Sequence, residues 1–176
     1  MNTVRKLSDL VYSIEKILAC ILALVMSLSL IAGVIFRYFF NSPLVWSDEL
    51  ALFTFIWVSL IGGSMALKKQ TLSSVSIIMD QLKGRLRFIL LAIAYAVVMV
   101  FCIYFFWISI PWIIDPSIMD QNSSAMEIPM LYPYLSVPVS LLFMSIHSIE
   151  QLLFGLQSIK TLEDAFAENG HGEDAI

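Results

Sequence analysis

Charge is what this chain has least of. Of its 176 residues only 14% are Asp, Glu, Lys or Arg, against about 25% in a soluble domain. That shortage excludes a solvated surface over most of the length. Cysteine is nearly absent too: Cys20 and Cys102 lie singly inside apolar blocks, with no CxxC spacing and no neighbouring histidine. A metal site or redox pair is thereby excluded as a recognisable pattern, which leaves inert packing thiols. The two histidines, His147 and His171, are isolated. Lys and Arg gather at the ends of apolar blocks and form no polar face, so no nucleic-acid partner is indicated. The net charge of -4 reflects Glu163, Asp164, Glu168, Glu173 and Asp174 near the end of the chain. No apolar block holds an acid or base at its centre, which argues against a self-sufficient ion-coupled transporter or a membrane hydrolase. Neither catalytic residue, metal nor cofactor is expected.

What the chain does have is hydrophobicity in long runs, 59% of all residues. Residues 17–36 form an uncharged run of about 20 positions, covering roughly 30 Å as a helix, the thickness of a bilayer's hydrocarbon. It exceeds the apolar core of a signal peptide, and Phe36-Arg37-Tyr38-Phe39-Phe40 follows it, so it reads as retained. Further blocks lie at 50–67, 88–114 and 128–149. The expectation is an all-α integral membrane protein whose four transmembrane helices cover about 17–40, 48–67, 86–114 and 128–154 within a domain of residues 1–160. Pro111 and Asp115-Pro116 should kink and stop the third helix, and Pro138 should lie inside the fourth, where neighbours satisfy the lost bond. Tyr38, Trp46, Trp107, Trp112, Tyr132 and Tyr134 fall where helix ends meet headgroups.

Orientation follows from the cations. Lys68, Lys69, Lys83, Arg85 and Arg87 lie between the second and third blocks, whereas only Asp115, Asp120 and Glu127 lie between the third and fourth. Positive loops stay cytoplasmic, so both termini are expected in the cytoplasm, with Arg37 the exception on the far side. Within the basic connection, Leu72, Val75, Ile78, Met79 and Leu82 recur at spacings of three and four. This predicts an amphipathic interfacial helix at about 71–83, lying on membrane lipid. The acidic tail, 161–176, reads as disordered.

Small residues recur four apart on the first helix as Ala19, Ala23 and Ser27, and as Ser29 and Gly33. On the second they recur as Ser59 with Gly63 and Gly62 with Ala66. Such stripes allow helices to approach where lipid supplies no hydrophobic drive. At the first turn, Ser47 is placed to cap the second helix, and Asp48 and Glu49 suit its dipole. Arg37 needs a partner, and an antiparallel hairpin brings it near Glu49, so an ion pair Arg37 to Glu49 beside Trp46 is expected to fix the hairpin. His147 and Glu150 are three apart and read as an ordinary interfacial pair on one helix face.

The stretch from Phe36 through Trp46-Ser47-Asp48-Glu49-Leu50 to Gly62-Gly63-Ser64-Met65-Ala66-Leu67-Lys68-Lys69 resembles the small permease subunit, DctQ type, of tripartite ATP-independent periplasmic (TRAP) transporters. The likeness is strongest at Arg37, Asn41, Trp46, Glu49, Gly62 and Ala66. It departs after Lys69, where the family's Gly-x-His is replaced by Gln70-Thr71-Leu72, so a role for that histidine does not carry over. The resemblance implies a scaffold without activity of its own, paired with a large many-span permease subunit (DctM type) that holds the sodium and organic-acid sites. It implies also a periplasmic substrate-binding protein as partner. Residues 38–48 and 115–133, with Asp115, Asp120 and Glu127, are then the candidates for docking it. The competing readings are a self-contained four-helix transporter, which wants a membrane-embedded carboxylate, a membrane anchor of another complex, and a small thiol enzyme, which wants paired cysteines.

Overall fold

The computed structural model describes residues 2–69 and 85–170. Its regular structure among those residues is helical: α1 (Asn2–Phe39), α2 (Val45–Lys69), α3 (Arg85–Ile114), the single turns α4 (Pro116–Met119) and α5 (Leu131–Tyr134), and α6 (Ser136–Gly170). Four stretches are long and apolar enough to cross a bilayer, Thr3–Phe39, Val45–Lys69, Ala92–Ile114 and Leu131–Thr161. The architecture is thus the expected all-α, four-crossing one. The predicted helix at 71–83, with Leu72, Val75, Ile78, Met79 and Leu82, lies outside the described residues, as does His171.

α1 packs on α2, α2 on α6 and α6 on α3, and α6 also reaches α1. One end of the bundle, the near end, holds Ser8, Lys68 and His147. The far end holds Arg37, Asp48 and the 115–133 connection.

Three boundaries differ from the sequence reading. α1 begins at Asn2 and not near 17, because Ser8, Val11 and Glu15, spaced along one helical face, are buried. The fourth crossing starts at Leu131, and Leu135, itself helical in its backbone angles, separates α5 from α6 within it, so that Pro138 lies inside the crossing as expected, in the first turn of α6. Pro138 has no N–H to give to Tyr134 O, while Leu135 N still donates to Leu131 O and Val139 N to Leu135 O on either side of that missing bond. At its other end α6 continues to Gly170, so residues 161–170 of the tail expected to be disordered are helical. The run Leu162-Glu163-Asp164-Ala165-Phe166-Ala167-Glu168 holds enough Ala, Leu and Glu to carry a helix onward.

The interior inverts the usual order. Its most deeply buried side chains are Ile61, His147, Glu15, Cys102 and the serines 8, 47, 64, 136, 140 and 148, while Leu24, Leu28, Phe55, Val97, Phe101 and Trp107 face outward. Hydrocarbon is as apolar as leucine, so large apolar residues gain nothing by turning inward. Small hydroxyl residues let backbones approach and bond across the gap. A Cβ on Gly33 would stand 2.5 Å from Ser47 Oγ, and one on Gly155 3.6 Å from Ala92 Cβ. Those two glycines mark the tight crossings α1 to α2 and α6 to α3.

Of the predicted second-helix stripe, a Cβ on Gly63 would stand 3.1 Å from Met144 Cε, so that glycine lies close against α6. A Cβ on Gly62 would meet nothing within 4 Å, and Ser59 is exposed. Ala66 is half-buried. The stripe therefore divides, one glycine packing inside this chain and the other opening outward, because consecutive positions differ by about 100° around a helix.

Candidate functional site

At the far end the hairpin between α1 and α2 is tied by three interactions. Ser29 Oγ donates to Ser47 O at 2.7 Å, Ser47 Oγ donates to Leu44 O at 2.7 Å, and Arg37 Nη2 donates to Asp48 Oδ2 at 3.1 Å. Two expectations are corrected here. Ser47 is not the cap: α2 begins at Val45, and the Ser47 hydroxyl gives its hydrogen to Leu44 O instead of accepting one from the first turn. Arg37 pairs with Asp48 and not with Glu49. With Ser47 buried towards Gly33, Asp48 lies beside α1, whereas Glu49, about 100° further round, points away from it. Both partners of the Arg37 pair are more than half exposed, at 56% and 63%. The pair therefore stays wet and gives the hairpin little stability. Trp46 is exposed, as are Tyr38 and Phe39.

Glu49 does something else. Its Oε2 accepts from Ser123 Oγ at 2.9 Å, Ala125 N at 3.0 Å and Met126 N at 2.8 Å, and its Oε1 accepts from Ser124 N at 3.1 Å. Four successive residues of the distant loop thus wrap one carboxylate. The loop closes on itself as well: Ser123 N donates to Ile128 O at 2.8 Å, Met130 N donates to Gln121 O at 2.9 Å, and Asn122 bridges Pro129. Glu127 adopts φ 53°, the left-handed region that non-glycine residues enter only when their surroundings hold them there. Trp57 Nε1 donates to Tyr132 O at 3.2 Å, which fixes α5 to α2, and the Trp112 and Tyr134 rings meet at 5.0 Å.

Asp115 caps α4, accepting from Ser117 N at 2.9 Å and from the Ser117 hydroxyl. That hydroxyl first, and then the Ser117 N–H, hold the Asp115 carboxyl below the usual carboxylate range. Asp115, Asp120 and Glu127 are all exposed on this connection.

The near end carries a polar network that sequence reasoning did not assemble. Lys68 Nζ donates to Asp9 Oδ1 at 2.8 Å, to Ser8 Oγ at 3.1 Å and to Glu150 Oε2, so its three hydrogens meet three acceptors. Ser8 Oγ lies 2.6 Å from His147 Nδ1, and His147 Nε2 lies 3.0 Å from Glu15 Oε2. A carboxylate only accepts, so Nε2–H donates to Glu15, and a neutral ring then accepts at Nδ1 from the Ser8 hydroxyl, whose oxygen accepts from Lys68. Gln151 Nε2 donates to Lys68 O at 2.9 Å and closes the end of α2. His147 and Glu150, read from sequence as a pair, point to different helices, His147 to α1 and Glu150 to α2. The missed partners are 132 residues apart in the case of Glu15 and His147. The available signal was Ser8 and Glu15 seven apart, which places a hydroxyl and a carboxylate on one face of α1.

Comparison with known proteins completes the description. Residues 6–158 match the family described as "Tripartite ATP-independent periplasmic transporters, DctQ component". The chain is 32% identical over 120 residues to the isethionate TRAP transporter permease protein DctMQ of Oleidesulfovibrio alaskensis, covering 68% of this chain and 17% of that protein. It is 33% identical over 91 residues to the C4-dicarboxylate TRAP transporter small permease protein DctQ of Vibrio cholerae, covering 52% and 39%. A shorter match, 49% identical over 41 residues, covers 23% of this chain and 7% of the sialic acid TRAP transporter permease protein SiaT of Haemophilus influenzae. The matched parts are well under half the length of these relatives.

Proposed function

Because the chain belongs to the DctQ component family of tripartite ATP-independent periplasmic transporters, a family of transporter membrane components and not of enzymes, we propose that it serves a sodium-coupled carrier of organic acids as the stationary scaffold. The observation that carries the reading is the family match over residues 6–158, which enters all four membrane-crossing helices. On this reading a large DctM-type subunit supplies the sodium and solute sites. The relative DctMQ supports such a pairing, since only 17% of its length corresponds to this chain. Isethionate, C4-dicarboxylates and sialic acid, the solutes in the relatives' names, are all organic acids.

A scaffold needs fixed geometry more than chemistry, and the bonding pattern suits that need. Residues 17–36, 50–67, 88–114 and 128–146 hold no Asp, Glu, Lys, Arg or His. Ionisable groups gather at the two ends, where they bond one helix to another. The inner membrane holds the bundle with both termini in the cytoplasm, so the far end faces the periplasm. There the loops 38–48 and 115–133 form part of the docking surface for the periplasmic binding protein.

Coexpression with the large subunit tests the assignment: the two should copurify in mild detergent, and sodium-driven uptake into proteoliposomes should require both chains and the binding protein. Uptake by this chain alone would overturn the scaffold reading. Charge reversal at Asp115, Asp120 and Glu127 tests docking separately, and unchanged uptake by the triple variant would remove those residues from it.

A further inference from the structure

The docking loop begins and ends in the bundle, yet its tip is gripped from a third point, Glu49 just past the first turn of α2. We infer that Glu49 is the positioning residue of the docking surface, fixing through its carboxylate the height and tilt at which residues 115–133 meet the binding protein. The inference rests on the docking reading above and adds which group sets the surface and what chemistry it presents. Glu49 Oε2 takes three of the four donors, from Ser123, Ala125 and Met126, and Oε1 takes the fourth, from Ser124. With both oxygens engaged by the loop, it acts through the loop and not by touching the partner.

The grip turns other residues outward. Gln121, Asn122, Ser124 and Glu127 are exposed around the held tip, as are Asp115 and Asp120 on the approach to it. Asp48, one residue from the clamp, is balanced there by Arg37, so the surplus of acid comes from Asp115, Asp120 and Glu127. The presented face is therefore acidic, and the partner face that fits it carries lysine and arginine. Glu127 at φ 53° shows the loop held in a conformation that its own backbone does not favour. Once released, the tip between Ser123 and Ile128 keeps only the backbone bonds at its base, and the acids lose their common orientation.

The test uses the intact two-subunit complex. Glu49→Asp keeps the charge but withdraws it by one methylene, beyond reach of the donors, while Glu49→Gln keeps the reach but loses the charge and sets an amide against one N–H. Ser123→Ala removes a single donor without touching α2, and guards against misfolding of the Glu49 variants. Amide exchange across 124–126 is measured without binding protein, and uptake is then titrated with it. Exchange should accelerate roughly tenfold or more in Glu49→Asp, as expected for losing charge-assisted bonds, and by less in Ser123→Ala. The binding-protein concentration giving half-maximal uptake should rise in the same order while the maximal rate is kept. Unchanged exchange in both Glu49 variants overturns the clamp. So does a Glu49→Asp variant that docks normally beside a Glu49→Gln variant that does not, since charge at the surface would then suffice. Faster exchange with unchanged docking leaves the clamp standing and overturns the docking reading on which the inference builds.

Discussion

Removing the imidazole of His147 should cost this protein more than any other single side chain at its near end. His147 and Glu15 are both fully buried, their side chains at 0% exposure, with Nε2 and Oε2 3.0 Å apart. Glu15 Oε1 has no other partner, so His147→Ala leaves an entire buried carboxylate without one. Breaking such a pair from one side costs about 3–5 kcal/mol. At roughly 2–4 °C per kcal/mol for a chain of this size, the melting temperature should fall by on the order of 10 °C. Replacing both partners by apolar residues of similar volume, Glu15→Met with His147→Leu, removes the charge together with its need. Ser8 keeps Lys68 and turns its hydrogen to its own helix. The double variant should therefore melt above His147→Ala, with a coupling of at least about 2 kcal/mol. The assay is thermal unfolding in mild detergent of the parent, Glu15→Met, His147→Leu and the double variant, with His147→Ala measured beside them. Additive losses would refute the reasoning, for they would mean that the carboxylate never depended on the ring.

Other outcomes follow from the same geometry. Gly33→Ala drives a methyl into Ser47 Oγ at 2.5 Å and should destabilise the hairpin by about 1–3 kcal/mol, whereas Gly62→Ala, which meets nothing within 4 Å, should leave the melt of the isolated chain unchanged. Arg37→Asp, Asp48→Arg and the swap should all lie within about 1 kcal/mol of the parent, because the pair is exposed; a loss well beyond that in one single reversal, recovered by the swap, would show a pair stronger than its exposure allows. The cap of α4 depends on pH with a definite sign. The Asp115 carboxyl is held below its ordinary range, so its contribution is full above that range and is lost as pH falls through the depressed value. Protease cleavage within 115–121 should stay constant from pH 5 to 8 (about this window) and rise only in stronger acid, and Asp115→Asn should cleave faster already at neutral pH.

The four crossings were legible because bilayer thickness imposes a length on every apolar run, and a run of uncharged residues such as 17–36 is visible without any partner. What decides the pairing of charges is rotation about each helix axis, and that depends on neighbours remote in sequence. Arg37 and Asp48 were both recognised as hairpin residues, yet whether 48 or 49 faced α1 turned on the seat of Ser47 against Gly33. Glu49's true partners were hidden in a loop of Ser, Ser, Ala and Met, which advertises no cationic donor because three of its four donors are backbone N–H groups. The stop of α3 before Asp115-Pro116 was a local matter, and it was readable. The near-end network was not, since Ser8, Lys68, His147 and Glu150 come from three helices and converge only in the folded bundle.

That convergence has a consequence for the order in which the chain is made. α1 and α2 leave the ribosome first, bringing Glu15 and Lys68 towards the membrane before α6 exists. Until α6 is synthesised, Glu15 has no imidazole and Lys68 lacks one of its two carboxylates. The first hairpin must therefore wait near the water surface with its near end unfinished. α6, packed mainly on α3 and α2 and more sparsely on α1, brings the His147 and Glu150 that complete it.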